Sequence, residues 1–468
     1  MTSLAGKKVY LIAIAGTGMS ALAGLIQAAG AKVAGSDVSC FPPTSLLLES
    51  LKIPVDLSYS VESIAAFQPD LVIIGNFVRR ENPQAQYVMQ NNIPYESFPS
   101  FLEKYFLEKS SNFVVVGTHG KSTTSSCLAH MLKDLNFDPS FLIGAIPHNF
   151  NQSFAIGFGN DFVLEGDEYD TAFFDKESKF LHYRPTFGVW TSLEYDHADI
   201  FPDMKSMEAM FEKFLSKIST SGALIYCRDW PRVHEMSQSF HGRKLSYGFH
   251  EKSDYRIENF QNSESGMKFS IQGQIYENEM TGNFNAQNFT GALVSIHVAK
   301  NVQPEKLSSA LKSFRGLKRR QEIRFESKEH RVIDDFAHHP TAVSQVIESV
   351  KSRFPNETLA VIFEPRSHTT RRNIFQSEFE SCFEGADYVY LSEVFKSEAF
   401  KESEVLLVPE IIKKLKAKGL QAFGPLKTED ILSEALRLAN QRPATFLILS
   451  NGSFDGLHEK LISSLKNL

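Results

Sequence analysis

The run Gly117-Thr118-His119-Gly120-Lys121-Ser122 has the residue types and spacing to hold a phosphate. Two glycines let the backbone turn tightly, so that N–H groups and a helix N-terminus face an anion. Lys121 would place a point charge at the outer phosphates of a nucleotide, and the Ser122 hydroxyl would reach a magnesium ion. The spacing is not the common Walker A one, because Val115 stands where that motif has its first glycine. The plain alternative is a turn whose glycines only permit positive φ. It leaves unexplained why Lys-Ser-Thr-Thr, ending in Thr123 and Thr124, opens the following segment.

Two acidic runs could supply oxygen ligands to the same cation. Glu165-Gly166-Asp167-Glu168-Tyr169-Asp170 offers four carboxylates, and magnesium takes one or two together with phosphate and water. Glu194-Tyr195-Asp196-His197-Ala198-Asp199 offers a second metal position, or merely a helix N-cap. Near the start, Gly16-Thr17-Gly18-Met19-Ser20-Ala21 matches G-x-G-x-x-[GA], with an acid, Asp37, about 20 residues on. That geometry holds any pyrophosphate, of NAD or of a UDP-sugar. Further on, Asn285 and Asn288 are amides about one helical turn apart, and Phe314–Arg320 is a basic turn that could clamp a γ-phosphate. Asp334-Asp335-Phe336-Ala337-His338-His339-Pro340 and Phe363-Glu364-Pro365-Arg366-Ser367-His368-Thr369 are polar clusters in the last third.

The elements needed to position these groups can be read from periodicity. Phe113–Val116 is an apolar run, the mark of a buried parallel strand. Leu128, Met131, Leu132 and Leu135 then fall on one helix face. Strands are predicted at Lys8–Ile14, Lys32–Gly35, Asp70–Gly75, Phe162–Leu164 and Gly188–Leu193. An amphipathic helix is predicted at Lys205–Ile218. Gly222–Gly282 has short alternating runs with Gly and Asn breaks and reads as antiparallel strands. The last third alternates strands (Arg331–Asp335, Leu359–Phe363, Tyr388–Leu391, Phe446–Leu449) with helices, a doubly wound α/β unit. Phe98–Ser111 carries no strong apolar period, and a domain boundary is expected near it.

The chain has 468 residues, enough for two to four domains, and a net charge of −6, which argues against a nucleic-acid partner. No apolar run reaches membrane-spanning length, so no membrane partner is expected. Cys40, Cys127, Cys227 and Cys382 lie far apart, which speaks against a zinc site or a disulfide frame and fits a reducing cytoplasm. The N-terminus runs into a strand without a visible signal peptide.

Taken together, GTGMS at Gly16, GTHGKSTT at Gly117, EGDEYD at Glu165, EYDHAD at Glu194, GNFNAQN at Gly282, the arginine at Arg320 and DDFAHHPT at Asp334 resemble the Mur ligase family, over essentially the full length. These are ATP-dependent amide-forming ligases of peptidoglycan synthesis. The resemblance implies an α/β fold of three domains: a Rossmann-like UDP-sugar domain at 1–108, a central P-loop ATPase domain at 109–321 and a Rossmann-like amine-substrate domain at 322–468. Two branches of the family take UDP-N-acetylmuramate as acyl substrate. One adds L-alanine, and the other adds the recycled tripeptide L-Ala-γ-D-Glu-meso-diaminopimelate. Glu168–Pro185, DDFAHHPTAV and FEPRSHT are similar to the second.

The same resemblance implies roles. Gly117, Thr118, His119, Gly120, Lys121, Ser122 and Thr123 would surround ATP, with Asn288, Arg320 and Asp335 as further contacts. Ser122 and Glu165 would hold one Mg²⁺ ion, and His197 would bind a second metal near the acyl phosphate. Gly16, Thr17, Gly18, Met19, Ser20 and Asp37 would hold the UDP moiety, which excludes NAD. Arg366, after a C-terminal strand, would grip a carboxylate of the peptide. Lys121, Glu165, His197 and Arg320 would carry the catalysis of an acyl-phosphate route, with Arg320 arriving as domains close. The chain departs from common family text at Thr191-Ser192, Phe284-Asn285 and Ser122, and Lys205 and Lys213 are candidates for the carbamylated lysine of some members.

Overall fold

A computed structural model of the chain describes residues 4–468. The chain divides into two compact units. One takes in the chain up to Leu193, Met207–Arg256 and Asn288–Phe314; the other takes in Glu194–Ser206, Ile257–Gln287 and Arg315–Leu468. Among the described residues no helix is long and apolar enough to cross a membrane.

The first unit holds two parallel sheets. The smaller has the strand order Val55–Asp56, Lys32–Ser36, Lys8–Ile12, Leu71–Ile74, Tyr95–Ser97, all parallel. Leu71–Ile74 is buried at every position, as a strand covered on both faces must be. The first strand ends at Ile12, two residues short of the sequence reading. Ala13 there has φ +67°, and the Ala13 and Ile14 N–H groups turn to the Ser36 carbonyl. That turn delivers Gly16 to the start of the helix Thr17–Ala28.

The larger sheet has eight strands, in the order Tyr255–Arg256, Lys244–Gly248, Ala223–Cys227, Phe187–Trp190, Ser111–Val116, Asp161–Glu165, Ser140–Leu142, Phe154–Ala155. Only the last pair is antiparallel. Ser111–Val116 is central, with Val115 beside Glu165 and Val116 beside Trp190. Three consecutive strand ends therefore open at one edge of the sheet, where parallel sheets bind ligands.

One sequence reading is corrected here. Gly222–Gly282 is not all antiparallel. Ala223–Cys227 and Lys244–Gly248 are parallel members of the large sheet, joined by the helix Pro231–Ser237. Ala223–Cys227 is buried throughout, so both faces of that strand are covered. Only Glu258–Ser263, Gly266–Ile271 and Gln274–Asn278 form the antiparallel sheet, in the second unit. Phe98–Ser111, which showed no strong apolar period, is nevertheless ordered. It folds as the helix Phe98–Leu102 running into a π-turn at Glu103–Leu107, with Phe101, Leu102, Tyr105, Phe106 and Leu107 buried. The wider π pitch moves the buried residues off the 3.6 period, which hid the helix from a periodicity reading.

The second unit is built on a six-stranded sheet in the order Glu322–Glu326, His330–Asp335, Ala444–Leu449, Thr358–Phe363, Tyr388–Ser392, Gln421–Leu426. All pairs are parallel except the first. One face packs on Pro340–Arg353 and Val408–Ala417, through Val343, Ile347, Ile411 and Leu415. The other packs on Thr428–Ala439 and Leu457–Leu465, through Ile431, Ala435, Leu457 and Leu461. The strands Gln421–Leu426 and Glu322–Glu326 escaped the sequence reading. The first contains Gly424 and Pro425, which depress strand propensity and confine such a segment to an edge.

Candidate functional site

The loop after Ser111–Val116 is held by the chain that follows the neighbouring strand Phe187–Trp190. The His119 N–H donates to Ser192 Oγ at 2.7 Å and the Thr118 N–H to the Ser192 carbonyl at 3.3 Å. The Thr191 hydroxyl reaches the Val116 carbonyl at 3.1 Å and also the His119 carbonyl. Gly117 has φ +131°, and a Cβ there would collide with Thr191 Oγ1 and the Ser192 backbone, so no other residue fits. Thr191 and Ser192, the departure from family text, thus shape the loop. The sequence signal was the pair of small hydroxyl residues at a strand end. Gly120 is the N-cap of the helix Lys121–Asp134, and Thr123 and Thr124 are buried in its first turn. Thr124 Oγ1 donates to Asn288 Oδ1 at 3.4 Å, which places Asn288 beside that turn.

Ser122 and Glu165, paired by the sequence reading as metal ligands, are brought together. The hydroxyl donates to Glu165 Oε1 at 2.8 Å, and Oε2 of the same carboxylate accepts the Gly144 N–H at 2.7 Å. Lys121 has a partner the sequence did not assign. Its ammonium donates to both carboxylate oxygens of Glu168, at 2.8 and 2.9 Å, and to the Gly117 carbonyl at 2.6 Å. Burial alone would lower the Lys121 pKa, but the Glu168 carboxylate outweighs it and the net shift is upward. Asp167 is paired with Lys179 at 2.7 Å, which holds its carboxyl below the usual range against the opposing effect of burial.

In the smaller sheet the Gly16 loop is braced from below. Asp37 Oδ2 accepts the Ala15 N–H at 2.9 Å, and Oδ1 accepts the Val38 N–H at 2.8 Å. Burial and the same Asp37 carboxylate push the Tyr59 phenol up to about 12. Ser20 Oγ donates to the Thr17 carbonyl, while Met19 and Ser20 are buried in the helix, leaving Gly16, Thr17 and Gly18 as the accessible backbone.

The remaining candidates belong to the second unit. His197 has φ +53°, and its N–H donates to Asp196 Oδ1 at 2.7 Å. Burial works against the Asp196 carboxylate, yet His197, His338 and His339 hold its pKa below the ordinary range. Asp335 is buried and accepts the Gln321 N–H at 2.8 Å and the Ala337 N–H at 2.7 Å. Burial raises its carboxyl to about 6, although Arg320 pulls the other way. Arg320 lies between two left-handed residues, Arg319 at φ +58° and Gln321 at φ +51°, with its guanidinium 4.7 Å from the Phe336 ring centre. Arg366 follows the strand Thr358–Phe363, donates to Glu364 Oε1 at 3.1 Å and stacks 4.0 Å over Phe395. Asn285 is buried and donates to the Thr281 carbonyl at 2.8 Å, a contact that anchors the first turn of its helix. Lys205 and Lys213 are exposed on the helix Met204–Lys217, and Lys213 pairs with Glu177 at 3.2 Å.

The sequence matches three family models: "Mur ligase family, catalytic domain" over residues 8–109, "Mur ligase middle domain" over 115–296 and "Mur ligase, glutamate ligase domain" over 319–452. It is 32% identical over 466 residues, 98% of each chain, to UDP-N-acetylmuramate–L-alanyl-gamma-D-glutamyl-meso-2,6-diaminoheptandioate ligase of Escherichia coli strain K12. It is 29% identical over 399 residues, 84% of this chain and 86% of the other, to UDP-N-acetylmuramate–L-alanine ligase of Lactobacillus gasseri. Among solved structures it is similar to a murein peptide ligase from Psychrobacter arcticus, with a TM-score of 0.71 and 28% identity over 99% of both chains. With the phosphate-type loop and its paired serine and glutamate in place, these matches show that the chain belongs to the Mur ligase family.

Proposed function

We propose that this chain is an ATP-dependent, ADP-forming ligase that joins UDP-N-acetylmuramate to the tripeptide L-Ala-γ-D-Glu-meso-diaminopimelate, in peptidoglycan recycling. The observation that carries this reading is the similarity to the Escherichia coli ligase of that name over 98% of both chains. The alanine-adding relative, at 29% identity over 84% of this chain, supports an L-alanine ligase as the alternative. The domain limits 1–108, 109–321 and 322–468 belong to the proposal, as do a cytoplasmic location and the roles in cell-wall biogenesis, cell shape and cell division that recycling serves.

The residues fit the groups this chemistry needs. A serine hydroxyl and a carboxylate 2.8 Å apart at a helix N-terminus are hard oxygen donors suited to Mg²⁺, so Ser122 and Glu165 would hold one ion, and His197 would serve a second metal. A carboxylate and an amine do not condense at neutral pH; bound ATP with Mg²⁺ would supply the phosphoryl group that turns the lactyl carboxylate into an acyl phosphate, with ADP as the leaving group. The loop from Gly117 to Thr123 would surround the phosphates with the backbone N–H groups at the start of the helix Lys121–Asp134, those of Thr118 and His119 being held by Ser192. Lys121 leaves Glu168 for the β- and γ-phosphates and meets the charge that develops on transfer. Arg320 adds a second positive charge at the γ-phosphate, Asp335 orients the turn that carries it, and Asn288 contacts the nucleotide. Gly16, Thr17, Gly18, Met19 and Ser20 hold the UDP pyrophosphate, and Asp37 braces that loop. Arg366 would grip a distal carboxylate of the tripeptide, whose amine would attack the activated carbonyl, forming the C–N bond as the C–O bond breaks and inorganic phosphate leaves.

The test is phosphate release from ATP in the presence of UDP-N-acetylmuramate with either L-alanine or the tripeptide. Release with the tripeptide far above that with L-alanine is the expected result. The reverse order would assign the chain to the alanine-adding branch, and release with neither would overturn both readings.

A further inference from the structure

Beside Arg366 lies a buried polar chain to which none of the roles above is attached. Glu364 directly follows the strand Thr358–Phe363, and its side chain is 6% exposed. One carboxylate oxygen accepts from Arg366 Nη1 at 3.1 Å, and the other accepts from Ser450 Oγ at 2.5 Å. Ser450 follows the adjacent strand Ala444–Leu449, whose Leu449 pairs with Phe363. The Ser450 hydroxyl also accepts the Gly452 N–H at 2.9 Å. The carbonyls of Ser450 and Gly452 both accept from Arg319 Nη2. Arg319 further faces Asp334 at 3.6 Å and immediately precedes Arg320. Gly452 packs so closely on the Arg366 side chain that an added Cβ would overlap its guanidinium.

These contacts constrain two arginines at once. Arg366 spends one donor on Glu364 and one face of its guanidinium on the Phe395 ring, which fixes the plane of that group. Arg319, tied to two carbonyls, fixes the left-handed turn from which Arg320 projects. The two ends share the segment Ser450–Gly452, and Glu364 is the only charged group between them in this chain of contacts.

We propose that Glu364 is a positioning residue: it orients Arg366 for the peptide carboxylate and, through Ser450 and Arg319, couples occupancy of that site to the posture of Arg320. This rests on the reading of Arg366 as the carboxylate grip. Coupling of this kind is reciprocal, so the peptide must tighten nucleotide binding by the factor by which nucleotide tightens peptide binding. Glu364→Gln keeps the shape and the hydrogen bond from Ser450 but loses the charge that holds Arg366.

The full chain is compared with Glu364→Gln, Glu364→Asp, Ser450→Ala and Arg366→Ala. Tripeptide KM, kcat and melting temperature are measured, together with the affinity for the non-hydrolysable analogue AMP-PNP with and without tripeptide. Glu364→Gln is expected to raise the tripeptide KM by about 10-fold or more, the scale for removing a group that orients a ligand-binding side chain. It should leave AMP-PNP affinity without tripeptide unchanged and abolish the tightening by tripeptide. Glu364→Asp should recover part of the KM, and Ser450→Ala should lose the tightening while keeping a tripeptide KM close to that of the unaltered chain. A wild-type tripeptide KM in Glu364→Gln, or a wild-type chain in which tripeptide leaves AMP-PNP affinity unchanged, would overturn the proposal. So would a fall in kcat and melting temperature without a change in KM. An unaltered tripeptide KM in Arg366→Ala would instead remove the reading of Arg366 itself.

Discussion

Lys121 Nζ lies 2.8 and 2.9 Å from the two carboxylate oxygens of Glu168, and both side chains are largely withdrawn from water. On the proposed reading, a triphosphate at the Gly117 loop would compete with the Glu168 carboxylate for Lys121. Breaking such a buried pair from one side strands a charge, which typically costs about 3–5 kcal/mol.

Lys121→Ala should lower kcat by at least about 10²–10³-fold, since it removes a charge acting on the transferring phosphoryl group. It should also lower the melting temperature, because the buried Glu168 carboxylate loses the Lys121 ammonium. The double variant Lys121→Ala/Glu168→Gln should recover most of that stability and none of the turnover. Recovery of turnover, or a single variant with near-wild-type kcat, would show that Lys121 does not act on the phosphates.

Glu165→Ala and His197→Ala should each raise the Mg²⁺ concentration needed for half-maximal activity, with partial rescue at high metal. A magnesium titration of phosphate release reads this directly. Loss of stability with an unchanged titration would mean that these side chains serve the loops alone.

Asp335 sets a pH limit. Its carboxyl is raised from 3.8 to about 6 by burial, so the folded state holds its proton more tightly than the unfolded chain. Its contribution to stability is therefore present below about pH 4 and lost as pH rises to about 6, on the order of 3 kcal/mol across that window. The ionised form is the one that faces Arg320 with opposite charge. Activity should fall below pH 6 on a single-proton limb, and Asp335→Asn should abolish that limb while flattening the stability change between pH 4 and 6. An acid limb retained in the variant would assign it to another group.

UDP-N-acetylmuramate should raise the melting temperature and NAD should not. A ligand specific to the native state present at about 100 times its Kd stabilises by about 2.7 kcal/mol, well within the reach of a thermal-shift titration. Stabilisation by NAD alone would reverse the reading of the Gly16 loop.

Arg366→Ala should cost roughly 2–5 kcal/mol in kcat/KM for the tripeptide, the scale for breaking a buried charge pair. Any residual L-alanine activity should change little, because L-alanine lacks the distal carboxylates. Parallel kinetics with the two amines check this, and equal losses would place Arg366 in the fold or at the nucleotide instead.

Much of the architecture was legible in the residues themselves. Strands buried on both faces announce themselves as apolar runs, and Ser111–Val116, Asp161–Glu165 and Ala444–Leu449 lie within a few residues of where such runs predicted them. The Gly117 loop, with its glycines, lysine and serine in one hexapeptide, is local chemistry on a local turn, and the sequence alone announced it. What the sequence could not decide is which distant groups meet. Lys121 and Glu168 are 47 residues apart, and His119 and Ser192 are 73 apart. Glu364 and Ser450 are 86 apart, and each of these pairs exists only because parallel strands bring their ends to one edge. The parallel placement of Ala223–Cys227 and Lys244–Gly248 was decided at the same level, since strand direction in a sheet is set by crossover connections and not by strand composition. Periodicity reports which face of an element is buried; it carries no term for the partner that buries it, and that partner is what only the tertiary structure supplies.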